Sequence, residues 1–183
     1  MFLEQLTRPF VYLRIKGMEG KNRYDWHIPI VFTLLTLALA YLSSTELKIV
    51  NTVLLDPITS FTANLPGFYI AALAAIAAFQ NPMLSSDMVS AGPKTPYILT
   101  PYLDENYQKK VKEQSLKRRT YLTHMFAFLT AESFVLVILN KLSVFFESNL
   151  SLAIYATIFL VIFWQLVVTT FCGLYYLGER LHD

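Results

Sequence analysis

Glu132 is the residue of this chain whose setting points most directly to chemistry. It lies in the run FAFLTAESFVLVIL, residues 126–139, where it is the only charged side chain. A carboxyl group in the middle of an apolar membrane helix is costly, so such residues usually face the interior of a bundle and pair with a polar group or serve a path for ions or protons. Glu132 is therefore the first candidate for a functional site.

Three other polar residues join Glu132 as a candidate intramembrane polar site. His124 and Asn140 lie eight residues to either side of it, which puts them about 80° away on the helix and about two turns distant, too far for direct contact. Gln165, in the middle of the next apolar run, could form a hydrogen bond with Glu132. The alternatives are a ring of Glu132 carboxylates from several copies, which would attract cations, and a proton-coupled role.

Catalytic and cofactor-binding signatures are missing from the sequence. It contains no phosphate-binding glycine loop, HExxH helix, CxxC pair or GxSxG turn, and it has three histidines and one cysteine, Cys172. A single cysteine cannot form a disulfide within the chain. We expect a protein that is not an enzyme and that has no cofactor and no metal site.

The elements that must position these residues are membrane helices. The 183 residues are 55% hydrophobic and 15% charged, with a mean hydropathy of +0.44. An all-α, polytopic membrane protein with four transmembrane helices is expected. The first two runs are shorter than the roughly 20 residues that a bilayer core requires, so they must recruit flanking residues or lie in thinned bilayer. The apolar runs are 28–42, 65–79, 121–142 and 151–177.

The basic residues predict the orientation of these helices. Only Lys48 and Lys141 fall on one side of the membrane, which leaves 13 of the 15 Lys and Arg on the side that holds both termini. Cytoplasmic segments carry this excess, so both termini are expected in the cytoplasm of a bacterial inner membrane protein. A cleaved signal peptide is the alternative, but a leader of about 26 residues is long for that role.

The predicted spans divide the chain into five parts. In the N-terminal part, Leu3, Leu6, Phe10 and Leu13 share one helical face, which is typical of an interfacial helix or of a leader packed under the bundle. The parts are a cytoplasmic segment (1–26), a first transmembrane hairpin (27–80) with a periplasmic connector (44–64), a basic cytoplasmic loop and helix (81–120), a second transmembrane hairpin (121–178) and a cytoplasmic tail (179–183).

The loop before the third run ends in a basic cluster. Asp104 could cap a helix that continues into the third span and extends it into the cytoplasm. The cluster could bind anionic lipid headgroups or a cytoplasmic protein partner, whereas direct nucleic-acid binding is disfavoured because no groove-reading motif accompanies the charges. Its members are Lys109, Lys110, Lys112, Lys117, Arg118 and Arg119.

The second run is rich in small residues. Gly67, Ala71 and Ala75 repeat at a spacing of four, a pattern that lets helix backbones approach closely in lipid. We interpret this row as a helix-packing face, either inside the bundle or facing a neighbouring copy or a pore.

Taken together, these features resemble the membrane subunit of the Kiwa anti-phage defence system. The resemblance is one of architecture over the whole chain: four spans, a short periplasmic face, and the basic segment YLDENYQKKVKEQSLKRR before the third span. It implies a homo-oligomeric membrane anchor or sensor that recruits a cytoplasmic, nucleic-acid-binding partner. The alternatives are a pore-forming effector that depolarises the membrane, with Glu132 and the alanine-rich span along the path, and an accessory subunit of a larger complex.

Overall fold

Four helical segments of this chain are long and apolar enough to cross a membrane. The computed structural model describes residues 5, 7–42, 55–78, 82–88, 95–103, 109–146 and 148–180. Within that part, the four segments, here called spans 1 to 4, confirm the prediction of four helices that are candidates to cross a membrane. They are Arg23–Leu42, Asp56–Ala78, Arg118–Phe145 and Asn149–Gly178.

Both short apolar runs reach spanning length by recruiting residues on their N-terminal side, as expected. In span 1, a π-helical turn, Arg23–His27, leads into the α-helix Ile28–Leu42, giving 20 residues. In span 2, helices Asp56–Thr62 and Leu65–Ala78, with the turn at residues 63–64 between them, give 23 residues. The last part of the predicted connector, residues 56–64, therefore belongs to span 2. Pro57 does not prevent this, because it lies in the first turn of the helix, where proline is tolerated.

Spans 3 and 4 form the centre of the bundle. The α-helix Arg118–Leu142 continues into a 3₁₀ turn, Ser143–Phe145, and a second α-helix follows at Asn149–Arg180. Among the described residues, span 3 packs on span 4, while span 1 makes its main contacts with span 4 and span 2 with span 3. The two members of the predicted first hairpin therefore pack mainly on the central pair.

The prediction that the third helix extends into the cytoplasm is wrong. Strand β1, Tyr97–Leu103, pairs antiparallel with strand β2, Lys109–Ser115, in the register Tyr97↔Ser115, and the helix begins only at Arg118. A small sheet also corrects the all-α class. Prolines at 96 and 101 favour extended backbone in β1, and pairing with β1 then overrides the helical preference of the following segment. A short helix, Pro82–Ser85, precedes this hairpin.

The N-terminal segment packs against span 3. Its 3₁₀ helix, Arg8–Arg14, buries Tyr12, whose ring stacks on Phe128 with 5.2 Å between centroids. The Phe10 ring meets the Phe128 ring edge-on, with 6.0 Å between centroids. Of the two interpretations of this segment, packing under the bundle is the one that the described residues favour; Leu3 and Leu6 lie outside the described residues.

Gly17 lets the N-terminal segment turn and join the hairpin. Its φ of +85° lies in the left-handed region, and a Cβ there would lie 2.9 Å from the Thr95 carbonyl oxygen. Beside it, the backbone groups of Lys16 and Tyr97 exchange two hydrogen bonds of 3.0 Å. The N-terminal segment, the β1–β2 hairpin, the start of span 3 and the end of span 4 together form what we call the hairpin end of the bundle. The other end of the bundle, which holds the 3₁₀ turn Ser143–Phe145, is called the opposite end.

Candidate functional site

Glu132 lies in the interior of the bundle, on the face of span 3 that packs inward. Its side chain is only 3% exposed, between the fully buried Leu129 and Leu136. Among the described residues, its Oε2 atom has no hydrogen-bond partner. A ring of carboxylates around an axis shared by several copies would need this residue on an outer face, so the described conformation does not support that alternative.

The predicted hydrogen bond between Glu132 and Gln165 is not formed. Gln165 Nε2 instead donates to the backbone carbonyl of Asp25 at 2.8 Å. This hydrogen bond joins the π-helical turn at the start of span 1 to the middle of span 4.

The other two predicted polar residues lie at different ends of the bundle. Asn140, at the opposite end, donates from Nδ2 to Asp56 Oδ1 at 3.2 Å and accepts from the Tyr155 hydroxyl at 3.1 Å, which connects spans 2, 3 and 4. His124 is half-buried near the hairpin end. The structure therefore places Glu132, His124 and Asn140 at three levels of span 3 and does not assemble them into one site.

The row of small residues on span 2 makes no close packing with the described part of the chain. Gly67, Ala71 and Ala75 are exposed, and a Cβ built on Gly67 would meet no atom within 4 Å. Span 2 instead packs on span 3 through larger side chains, among them the buried Tyr69 and Ile76. The row stays a prediction for a contact with a helix outside this chain.

The basic cluster is divided between a strand and a helix. Lys109, Lys110 and Lys112 lie in β2, and Arg118 and Arg119 begin span 3. Lys117, between the two elements, is exposed and forms an isolated backbone bridge with Asp87. The charges therefore do not lie on one helix that continues into span 3, as was expected.

A buried ion pair at the hairpin end was not predicted. Lys21 Nζ binds Asp25 Oδ2, and these residues are only 8% and 3% exposed. The Tyr12 hydroxyl donates to Asp25 Oδ1 at 3.3 Å, and Lys21 Nζ lies 4.0 Å from the centroid of the Tyr12 ring. Burial lowers the pKa of Lys21, an effect that Asp25 opposes, and burial raises the pKa of Tyr12. The spacing of four between Lys21 and Asp25 was a signal for this pair.

The hairpin end also carries a cleft of about 510 Å³, here called the basic cleft. It lies between the N-terminal segment, the hairpin and the first turns of span 3. Its charged lining residues are Arg8 and Lys117, and no Asp or Glu is among the described residues that line it. The lining is Gln5, Arg8, Pro9, Val11, Ile98, Thr100, Gln114, Ser115, Leu116, Lys117, Thr120, His124 and Ala127.

No group of three or more His, Cys, Asp and Glu side chains that could hold a metal ion occurs among the described residues. Comparisons with family models, with curated proteins and with solved structures found no match to this chain.

Proposed function

We propose that this chain is a non-enzymatic membrane protein whose hairpin end lies in the cytoplasm and holds a partner protein at the inner membrane. The observation that carries the proposal is the basic cleft. Three separate parts of the chain converge to form it, and its volume lies within the usual range of binding pockets.

The lining of the basic cleft favours an acidic, extended segment as its occupant. Arg8 and Lys117 supply two positive charges, and the described lining residues include no carboxylate to neutralise them. Thr100 and Gln114 offer hydroxyl and amide groups, and Ile98 and Val11 add apolar surface. Complementary charge would raise the rate of encounter, and the mixed lining would set the register of the bound segment.

The distribution of basic residues supports a cytoplasmic location for the hairpin end. Arg8, Arg14, Lys16 and Lys117 are exposed there, whereas Lys141 lies at the opposite end. Lys and Arg are enriched in cytoplasmic segments of inner membrane proteins. The orientation with both termini inside is therefore part of the proposal.

Site-specific photo-crosslinking tests this proposal. With a photoreactive residue at Thr120, which lines the cleft, we expect one discrete protein adduct in cells that express the neighbouring genes. Charge reversal at Arg8 and Lys117 should reduce it by about fivefold or more, since two charge-assisted contacts are lost. Lys112→Glu, on β2 outside the cleft lining, is the matched control and should leave the adduct unchanged.

An equal adduct from Leu150, at the opposite end, would contradict the proposal, as would an adduct that is insensitive to the reversed charges.

The resemblance to the Kiwa membrane subunit supplies a setting in which the partner is a nucleic-acid-binding protein and the anchor is a homo-oligomer. In that setting the anchor serves anti-phage defence by keeping its partner at the envelope.

A pore-forming effector is the second candidate. It is favoured by Glu132 Oε2, which lies in the bundle core and has no hydrogen-bond partner among the described residues. Expression of the chain alone, followed with a potential-sensitive dye, separates the two functions. An anchor should leave the membrane potential and growth unchanged. Depolarisation that Glu132→Gln abolishes, with assembly preserved, would favour the effector.

A further inference from the structure

A second cleft, of about 460 Å³, opens at the hairpin end and is lined mainly by aromatic side chains. It lies between the turn at residues 18–21, the start of span 1, the start of span 3 and the end of span 4. The buried Tyr12 and Tyr121 contribute to its wall, whereas Phe171 and Tyr175 are 68% and 67% exposed. We call it the aromatic cleft.

The charges of the aromatic cleft add to a negative value. Its charged lining residues are Glu19, Lys21 and Asp25, which sum to −1 when all three are ionised. Lys21 is already paired with Asp25, so the exposed carboxylate of Glu19 is left as the excess charge. A single positively charged group placed in the cleft would balance it.

The chain itself shows that this environment holds an ammonium group. Lys21 Nζ lies 4.0 Å from the centroid of the Tyr12 ring and contacts the Asp25 carboxylate. Aromatic faces attract cations through their quadrupole, and the attraction grows where water is excluded. Tyr24, Phe171 and Tyr175 offer further rings in the same cleft for a second ammonium.

The exposed rim of the aromatic cleft indicates where such a cation comes from. Phe171 and Tyr175 belong to span 4 and face outward, where lipid would surround the bundle near its end. We propose that the aromatic cleft binds the ammonium headgroup of an amine-bearing phospholipid, with its acyl chains against the outer surface of span 4. This proposal stands independently of the partner that the basic cleft would hold.

Native mass spectrometry of the purified, full-length chain in detergent tests the proposal. Titration compares phosphatidylethanolamine with phosphatidylglycerol of the same acyl chains. We expect phosphatidylethanolamine to reach half-occupancy at about one fifth, or less, of the concentration that phosphatidylglycerol requires. Glu19→Gln and Tyr24→Leu should each weaken its binding by about threefold to tenfold and leave phosphatidylglycerol binding unchanged.

The matched controls are Glu113→Gln, an exposed carboxylate of β2, and Phe134→Leu, a half-exposed ring on span 3. Neither residue lines the aromatic cleft, so neither change should alter lipid binding. Glu19 is exposed and lies on a turn, so its substitution should change binding without destabilising the fold. Equal affinity for the two lipids, or no effect of Glu19→Gln, would overturn the proposal. Competition by free ethanolamine at the concentration of the lipid would overturn the lipid as the source.

Discussion

At the scale of single residues, the hairpin end contains a buried charge contact, the Lys21–Asp25 pair. Both side chains are removed from water, which is costly for each charge alone, and each is stabilised by the other and by Tyr12. Removing one partner leaves the second charge buried without compensation. The pair is thus a test of how tightly the N-terminal segment and span 1 are joined.

Lys21→Met should lower the free energy of unfolding by about 3 kcal/mol, because it leaves the Asp25 carboxylate buried and unpaired. A second change, Asp25→Leu, made in the same chain should restore most of that loss. Thermal or denaturant unfolding in micelles measures both effects. Additive losses from the two substitutions would show that the pair is not coupled.

Glu132 presents the reverse case, since its buried Oε2 atom has no hydrogen-bond partner among the described residues. A buried polar atom that forms no hydrogen bond costs about 1–3 kcal/mol. Glu132→Leu should therefore leave the unfolding midpoint unchanged or raise it. Leu136→Ala, on the same buried face, is the control and should lower stability by about 2–5 kcal/mol. A large loss of stability in Glu132→Leu would show that the carboxyl group holds the bundle together.

At the scale of elements, specific contacts join the central spans to their neighbours. Tyr69 of span 2 forms a hydrogen bond of 2.7 Å with the Thr170 hydroxyl of span 4. Trp164 of span 4 stacks on Phe32 of span 1 at 4.8 Å and donates to Thr36 at 3.1 Å. Where spans 3 and 4 meet, a Cβ on Gly173 would lie 2.5 Å from Met125 Cε. Close helix approach therefore occurs at Gly173 within the chain.

Gly173→Leu should destabilise the bundle by about 1–3 kcal/mol, because the larger side chain must displace the fully buried Met125. Gly67→Leu is the matched change on span 2, where a Cβ meets open space, and should leave monomer stability unchanged. Unfolding of the two variants in micelles measures the difference. Similar losses in both would show that Gly67 is packed as closely as Gly173.

The apolar runs could be predicted from the sequence because bilayer thickness sets a length that composition reveals directly. The helix expected through residues 109–115 failed because its formation is decided by pairing with β1, a contact between distant segments that local preference does not contain. The Gln165 partner was missed for a similar reason. Its true acceptor is the backbone carbonyl of Asp25, which lies 140 positions away in the chain.

At the scale of the whole molecule, the proposed anchor function depends on which side of the membrane the hairpin end faces. The basic cleft and the aromatic cleft both lie at that end, together with the N-terminal segment and the hairpin. A partner in the cytoplasm can reach the basic cleft only if this end faces inward. The anchor function therefore requires that the hairpin end face the cytoplasm.

Cysteine labelling in intact cells measures this orientation directly. With Cys172 replaced by alanine, single cysteines are introduced at Lys112, exposed on β2, and at Leu150, which is 72% exposed at the opposite end. A membrane-impermeant maleimide should label Leu150→Cys in intact cells and Lys112→Cys only after the membrane is permeabilised. Labelling of Lys112→Cys in intact cells, with Leu150→Cys protected, would contradict a hairpin end that recruits a cytoplasmic partner.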